Sequence, residues 1–430
     1  MDELHISSSE QNGLHLHLCN IDKFKTTSIM LMIKAPLQED IITARALIPY
    51  VLNGGTTNYP NRKQIRKKLD EMYGATLYSD VHKKGEYHII TFEMEISAEQ
   101  YLSTPICLLE SSLHLLHDIV YNPKIENGVF DSSIVEQEKR SLKQRIISMY
   151  DDKMRYASLR LIEEMFKNEP YHIPAYGREE EVDSLNALTV YQVYEKLLQN
   201  ARFDLFIVGE VNENEIKSMV QNIFSEQHNY SDIQCNFTDE QNIDEVKIVQ
   251  DKLDVEQGKL FMGYRTFSTI QDENYEATRV ANAIFGRFPS SKLFINLREK
   301  ESLAYFTLSQ LESNKGLLIT MTGIDFNNYK YAVQIIREQE YALKNGDFTE
   351  ADVDQAKSML ISQLLEACDT PLGIIDISIQ AVDRGFSDNV NDQIRRIQMV
   401  SKDDVIHSAN KWDLDTIYFL NRNERREEGE

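Results

Sequence analysis

The stretch SSKLFINLREKESLAYFTLSQLESNKGLLITMTGI (Ser290–Ile324) decides the fold, because its order of elements occurs twice in the chain. Its pattern predicts a helix that ends in a charged pair, followed by a β-hairpin that begins at Ala304. The segment RKQIRKKLDEMYGATLYSDVHKKGEYHIITFEMEI (Arg62–Ile96) has the same order, with a hairpin that begins at Ala75. Elements repeated at this distance indicate duplication of a whole domain, not a solenoid.

Two further segments extend the repeat. The apolar strand TSIMLMIKA (Thr27–Ala35) has a counterpart in GKLFMGYRT (Gly258–Thr266). The helix SIVEQEKRSLKQRIISMYDD matches DVDQAKSMLISQLLEACDT, which places Asp369 on Asp151. The two halves of the chain are therefore expected to share one architecture.

We predict an α+β protein of two homologous domains, each a mainly antiparallel sheet with helices packed on one face. A chain of 430 residues suits two domains of roughly 200 residues each. The first is expected at residues 1–224 and the second at residues 246–430. The acidic segment Ser225–Glu245 lacks periodicity and is predicted to be the linker.

Composition narrows the class of protein. The formal net charge of -23 repels polyanions, so nucleic acid is not an expected ligand. A basic peptide or partner would be attracted, but an acidic surface that keeps the protein in solution is the simpler explanation. Four distant cysteines without a CxxC pair suit reduced thiols in the cytoplasm. The N-terminus has no basic and apolar leader, and no run of about 18 apolar residues occurs. We expect a cytoplasmic protein that is not inserted in a membrane.

Two histidine pairs are candidates for metal binding. HLLHD puts His114, His117 and Asp118 on one face of a predicted helix, but a packed helix with polar edge residues explains the pattern better. HLH puts His15 and His17 on one side of a strand, which the outer face of an edge strand explains equally well.

The segment LREKESLAY contains a second kind of candidate. Arg298 lies near a predicted helix end, and Tyr305 lies at the start of the next strand. A cation and a phenol so placed could face one cleft and stabilise a developing negative charge. From the residues alone, a surface ion pair and a tyrosine on a sheet remain the simpler explanation.

Three segments together resemble one known family. SSKLFINLREKESLAY is similar to its S-x-L-F-x-x-[LI]-R-E-x-x-x-L-A-Y motif, YHIPAYGREEEVDSLNALT to its H-P-Y-G region, and FIVGEV to its V-x-V-V-G-D strand. Over nearly its full length the chain resembles the insulinase or pitrilysin zinc metallopeptidases, the inverzincins. The resemblance implies two homologous α+β domains that form one half of a clamshell.

The same resemblance locates a zinc site whose ligands are missing. The family's H-x-x-E-H helix supplies two zinc-binding histidines and a glutamate base. Aligned on the following Gly-Thr, its positions fall on Ala46, Pro49 and Tyr50 in ARALIPYVLNGGT. The third ligand, a glutamate on a later helix, falls on Arg145. We therefore predict no metal, no cofactor and no hydrolysis by this chain alone.

The resemblance gives the retained pair a role. In the clamshell enzymes the half without zinc contributes an arginine and a tyrosine to the other half's active site, and the matching residues are Arg298 and Tyr305. The leading hypothesis is a non-catalytic subunit that completes the site of a zinc-bearing homologue and helps to enclose peptide. The alternative is an inert peptide-binding or scaffold homodimer that assists a modification or processing pathway.

Overall fold

The computed structural model describes residues 5–102, 107–226, 245–385 and 389–423. Within them the chain divides into two compact units. The first unit is drawn from Met1–Ile147, Ile173–Cys235 and Leu365–Val390. The second unit is drawn from Ser148–His172, Asn236–Leu364 and Asn391–Glu430. Most of the predicted linker lies outside the described residues, and its boundaries stay a prediction.

The strands of the two main sheets and one two-stranded ribbon follow in chain order. They are β1 (Ile6–Gln11), β2 (Leu14–Asn20), β3 (Thr26–Pro36), β4 (Thr76–Lys84), β5 (Tyr87–Ser97), β6 (Ile125–Glu126), β7 (Val129–Phe130), β8 (Arg202–Gly209), β9 (Lys247–Leu253), β10 (Gly258–Arg265), β11 (Ala304–Glu312), β12 (Leu317–Ile324) and β13 (Asp413–Arg422).

The α-helices of the described residues are also numbered in chain order. They are α1 (Ile42–Leu52), α2 (Arg62–Glu71), α3 (Leu108–Tyr121), α4 (Ser132–Asp151), α5 (Lys153–Met165), α6 (Glu179–Val182), α7 (Ala187–Asn200), α8 (Glu213–Ile223), α9 (Tyr275–Asn282), α10 (Tyr329–Lys344), α11 (Glu350–Ala367), α12 (Pro371–Arg384), α13 (Val390–Met399) and α14 (Lys402–Asn410). Every one of them is too short or too polar to cross a lipid bilayer.

Both sheets are dominated by antiparallel pairs, as the sequence predicted. The first unit has the order β1-β2-β8-β3-β5-β4, in which only β2 and β8 run parallel. The second has the order β9-β13-β10-β12-β11, in which only β9 and β13 run parallel. Without β1, the first order matches the second strand for strand, which agrees with the duplication predicted from the repeat.

The packing around strand β3 explains why its sequence is continuously apolar. Met30 and Met32 pack with Ile374 and Ile375 of α12, while Leu31, which points the other way, is fully buried as well. Successive side chains of a strand point to opposite faces, so burial of both faces requires apolar residues at every position. The first sheet is therefore covered on both sides.

Strand β10 in the second unit is covered in the same way. A Cβ added at Gly263 would lie 2.7 Å from the sulfur of Met165 and 3.4 Å from Leu161, so the missing side chain admits α5. On the opposite face, Met262 and Tyr264 belong to the core that surrounds Trp412. Each sheet thus has one helix on the face that the sequence left open.

These covering helices come from the other half of the chain. Helix α5 precedes the predicted linker but belongs to the second unit, and α12 follows it but belongs to the first. The sequence predicted helices on one face only. The structure adds one exchanged helix per sheet, because the apolar periodicity of a helix does not reveal which sheet it covers.

Candidate functional site

Helix α1 carries three of the positions at which the family resemblance places zinc chemistry. Ala46 is fully buried, and Pro49 lies in the interior of the helix. All residues of this helix are buried. Pro49 has no amide hydrogen, yet the helix continues past it, since the amide of Asn53 donates to the Pro49 carbonyl oxygen at 3.2 Å. Ala46 and Pro49 therefore contribute packing and no side-chain donor atom.

Tyr50, the third position, is held by a carboxylate on β4. Its hydroxyl donates to Oδ1 of Asp80 at 2.9 Å. The hydroxyl of Tyr176 donates to the same oxygen, and that of Tyr78 donates to Oδ2 at 2.9 Å. The amide of Val81 adds a fourth hydrogen bond, at 2.9 Å to Oδ1. We call Tyr50, Tyr78, Asp80 and Tyr176 the tyrosine–aspartate cluster.

Protonation in the cluster follows from these contacts. Burial opposes ionisation of Asp80, but hydrogen bonds from Tyr176, Val81, Tyr50 and Tyr78 outweigh it and hold its pKa below the usual range. Burial raises the pKa of Tyr50 well above its ordinary value, as do the neighbouring Tyr176 and Asp80. Asp80 is thus an ionised acceptor, and the phenols are its neutral donors.

A glycine brings Tyr176 into the cluster. Gly177 has a φ of 73°, in the left-handed region that favours glycine. A Cβ at this position would lie 2.6 Å from the Cα of Thr43 on α1. The next amide, that of Arg178, donates to the Thr43 hydroxyl at 3.1 Å. The segment that resembles the family's H-P-Y-G region is therefore packed directly on α1.

The fourth predicted position, Arg145 on α4, lies against Tyr50. Its guanidinium carbon is 4.4 Å from the centroid of the Tyr50 ring, the geometry of a cation–π contact. The side chain is exposed. Earlier on the same helix, Glu138 is buried and accepts from Arg62 at 2.8 Å. The structure thus brings Arg145 and Tyr50 together beside α1.

The residues present do not fit a zinc ion. Zinc in this kind of site needs imidazole or carboxylate ligands, and here Ala46 and Pro49 offer none. The Tyr50 hydroxyl already donates to Asp80, and Arg145 is a cation. Within the described ranges, no three His, Cys, Asp or Glu side chains are grouped as a metal site would require. No step of the chemistry is therefore assigned to a metal in this chain.

Arg298 lies in an uncommon kind of helix. After α9 the chain forms two π-helical turns, Ala283–Arg287 and Phe294–Lys300, and Arg298 lies in the second. The amide of Glu301 bonds to the Asn296 carbonyl five residues earlier, at 3.3 Å. Such turns are rare and frequently occur at functional sites.

Tyr305 lies where the following strand is irregular. On β11, Ala304 pairs with Ile324 and Phe306 pairs with Gly323, so Tyr305 is the extra residue of a β-bulge. Just before it, Ser302 has a φ of 52°, a left-handed conformation that is uncommon outside glycine. Strand β11 is also an edge strand of its sheet. Bulges at sheet edges re-aim side chains next to active sites.

Both side chains are available to an outside ligand. Tyr305 is 70% exposed, and Arg298 is exposed as well. Arg298 stacks on the ring of Phe294 at 4.9 Å. Considering only the residues that the structure describes, neither the guanidinium of Arg298 nor the hydroxyl of Tyr305 forms a hydrogen bond or an ion pair.

The histidines of HLLHD do not converge on one point. Nε2 of His117 bonds to Glu226 at 2.9 Å, whereas Asp118 accepts from Asn58 at 2.8 Å. His114 is exposed at an open groove between α3 and α8. The three side chains have separate environments, as expected for polar residues at the edge of a packed helix.

His17 of HLH is a structural residue rather than one on an exposed edge. Strand β2 lies between β1 and β8, so the edge-strand explanation was wrong for this strand. The His17 ring is buried and bonds to Ser8 at 2.9 Å and to Asp204 at 3.0 Å. Burial raises the pKa of Asp204, but the hydrogen bonds with His17 and Arg202 lower it more strongly. The resulting pKa is about 2.

Sequence reasoning missed Asp80, the centre of the tyrosine–aspartate cluster. One signal was present, because aspartate is depleted in strands and Asp80 lies inside a predicted hairpin strand. Its partners Tyr50 and Tyr176 are far away along the chain, so no local pattern could identify them.

Comparison with known proteins adds four findings. Residues 184–360 match the model of the peptidase M16 inactive domain. The chain is 44% identical over 413 residues to the probable inactive metalloprotease YmfF of Bacillus subtilis, with 96% of each covered. It is 25% identical over 304 residues to an uncharacterized zinc protease of Rickettsia bellii, which covers 69% of this chain and 68% of that protein.

The fold is shared with a solved structure. A conserved protein from Enterococcus faecalis superimposes with a TM-score of 0.88 at 28% identity, over 97% of this chain and 99% of that chain. Agreement over almost the whole length means that both units, and not one alone, have counterparts in that protein.

Proposed function

Because the chain belongs to the M16 metallopeptidase family and is an inactive member of it, we propose that it is the non-catalytic subunit of a two-component zinc peptidase. A zinc-bearing homologue is its partner, and a peptide is the substrate that the two subunits enclose. Arg298 and Tyr305 act in trans, at the partner's active site. A relative that is named an uncharacterized zinc protease, and that matches 69% of this chain, supports the proposal because it is a homologue of the kind that the partner would be.

One observation carries this proposal. Arg298 and Tyr305 are exposed, and neither has a hydrogen bond or ion pair in the described part of the chain. An exposed bulge tyrosine and a nearby arginine without internal partners contribute little to the stability of the fold. Their donors suit a substrate carbonyl and the oxyanion that forms when it is attacked.

Each residue has a distinct part in the proposed chemistry. The Tyr305 hydroxyl donates to the oxygen of the tetrahedral intermediate, whose charge is greatest in the transition state, so it is expected to affect kcat. The Arg298 guanidinium holds a backbone carbonyl of the bound peptide and is expected to affect KM more strongly.

The test is a reconstitution with the full-length chain. The protein is mixed with the zinc-bearing homologue from the same genome, and cleavage of a quenched fluorescent peptide is followed. We expect cleavage only in the mixture, and a reduction in kcat of about 100-fold for Tyr305→Phe, the loss typical of one oxyanion donor. Arg298→Ala is expected to raise KM.

Matched controls separate this role from general damage. Tyr101→Phe removes a hydroxyl from another exposed tyrosine, and Arg155→Ala removes an exposed arginine. Both are expected to retain full activity. If Arg298→Ala and Tyr305→Phe behave like these controls in an active mixture, the in-trans role is wrong.

The same reconstitution distinguishes the alternative. An inert homodimer that binds peptide would give no cleavage with any zinc-bearing homologue, and light scattering would show twice the 49.9 kDa chain mass. A heterodimer that cleaves peptide would exclude the inert homodimer.

A further inference from the structure

Arg145, at the position where the family resemblance places a zinc ligand, has no acidic partner among the described residues. Arg145 contacts the ring of Tyr50, but among the described residues no carboxylate lies within ion-pair distance of its guanidinium. The five N–H donors of this side chain therefore have water or an outside ligand as their acceptors. The net charge of the chain is -23, with 69 acidic and 46 basic side chains, so an anionic ligand at this position would be held by the local contact geometry and not by the overall charge.

Two carboxylates on neighbouring elements, Asp80 and Glu138, already have other partners. Asp80 accepts hydrogen bonds from Tyr50, Tyr176 and the amide of Val81 on Oδ1, and from Tyr78 on Oδ2. Glu138 lies on the same helix and feels the charge of Arg145, but its ion pair is with Arg62. In the part of the chain that the structure describes, neither carboxylate forms an ion pair with Arg145.

Tyr50 fixes the orientation of the guanidinium. The tyrosine is only 4% exposed and its hydroxyl donates to Asp80, so the aromatic face that contacts Arg145 is held in place. An arginine stacked on an aromatic ring keeps the N–H donors at its planar edge available. A planar edge of paired donors matches the two oxygens of a carboxylate, which it binds through two parallel hydrogen bonds.

We propose that Arg145, stacked on Tyr50, binds a carboxylate of a peptide, either the C-terminal α-carboxylate or an acidic side chain. The position that would hold a metal in an active relative is then a subsite for an anionic group. The inference rests on the proposed function only in taking a peptide as the ligand. It does not depend on Arg298, on Tyr305 or on a catalytic partner.

The experiment measures peptide binding by the full-length chain alone. Three pools of nonapeptides with randomised neutral sequences carry an uncharged dye at the N-terminus. The first pool ends in a free carboxylate, the second in an amide, and the third in an amide with one internal glutamate. We expect fluorescence anisotropy to give at least tenfold tighter binding for the first or the third pool than for the second.

Two variants on α4 assign the difference to one side chain. Arg145→Gln is expected to bind every pool as weakly as wild type binds the neutral amide pool. Arg140→Gln removes the same charge from another exposed arginine of this helix and is expected to keep the preference. Preference for the first pool identifies a C-terminal carboxylate as the ligand, and preference for the third identifies an acidic side chain.

Three outcomes overturn the proposal. Equal affinity for all pools, failure of wild type to bind any pool, or a preference that survives in Arg145→Gln would each exclude a carboxylate site at Arg145. The cleavage assay with a zinc-bearing partner is independent. Equal binding of the pools together with cleavage that depends on Tyr305 would remove this subsite and keep the subunit role.

Discussion

At the scale of single residues, the positions at which the family resemblance places zinc ligands lie among phenols, a carboxylate and an arginine. The assignment of Ala46, Pro49 and Tyr50 to the missing ligands was made from sequence, on the Gly-Thr after the helix, and it stays a prediction. Asp80 could not be identified as the partner of Tyr50, since contact between a helix and a strand depends on packing that no local pattern records. Sequence therefore gives a prediction of which ligands are missing, and the structure was needed to find the residues that surround those positions.

Asp80→Asn tests the tyrosine–aspartate cluster. The amide keeps the shape of the side chain but loses the charge that accepts four hydrogen bonds. We expect the free energy of unfolding at pH 7 to fall by about 2 kcal/mol, measured by urea denaturation. Asp70→Asn, which removes an exposed carboxylate paired with Arg66, should change it by less than about 0.5 kcal/mol.

The same variant has a predicted pH dependence. The pKa of Asp80 is lower in the folded chain than its unfolded value of about 3.9. The carboxylate therefore stabilises the fold fully above that value, and this contribution disappears as the pH falls through the folded pKa. We expect the stability difference between wild type and Asp80→Asn to be constant from about pH 7 to 5 and to shrink below about pH 4. A difference that grows in acid would contradict this assignment.

Gly177→Ala tests the contact that places Tyr176. A methyl group at this position is strained by the left-handed φ and also collides with Thr43. Gly74→Ala is the matched control, because Gly74 has a φ of 74° but no atom within 4 Å of an added Cβ. We expect about 1 kcal/mol of destabilisation for the control from backbone strain and at least twice that for Gly177→Ala. Equal destabilisation of the two variants in thermal denaturation would show that Thr43 moves aside without a cost in stability.

At the scale of elements, α12 is held on the first sheet by charge as well as by apolar packing. The side chain of Asp383, near the end of α12, is 4% exposed and pairs with Lys34 of β3 and Lys84 of β4, each at 3.0 Å. Burial opposes ionisation of Asp383, but the two ammonium groups keep its pKa below the usual range. A sequence pattern predicted the strands that carry these lysines, but not the helix that supplies their partner.

Asp383→Asn removes the shared anion and leaves two ammonium groups side by side under α12. We expect a loss of about 3 kcal/mol in the free energy of unfolding, in the range for breaking a buried ion pair by removing one partner. Burial raises the pKa of Asp376, on the same helix, despite the nearby Lys84, so Asp376→Asn should be neutral or slightly stabilising. Hydrogen exchange should show faster opening of α12 in Asp383→Asn only. Similar stability in the two variants would show that apolar contacts alone hold the helix.

At the scale of the whole molecule, the duplication and the fold class could be predicted, whereas the exchange of α5 and α12 could not. Helices with the same amphipathic pattern can cover either sheet, and the sequence contains no signal for the choice. The exchange means that neither half of the chain contains a complete core. Residues 1–226 lack the helix that covers Met30 and Met32, and residues 245–430 lack the one that fits beside Gly263.

Separate expression of the halves tests this arrangement. We expect residues 1–226 and residues 245–430, each alone, to bind a hydrophobic dye and to aggregate, because a full face of each sheet is exposed. Co-expression should give a soluble complex with the circular dichroism of the intact chain. Two stable, monomeric halves with cooperative unfolding would contradict the exchange.

The exchange of helices also sets an order of events during synthesis. The first sheet cannot bury its second face until α12, near residue 384, has left the ribosome, although the last of its strands ends at Gly209. At a translation rate of about 5–20 residues per second, that face waits on the order of 10 s. An unfinished apolar surface exposed for this long is a binding site for holding chaperones. The face is uncovered from Gly209 to the end of α12, about two fifths of the chain, and both sheets are completed within the last stretch of synthesis.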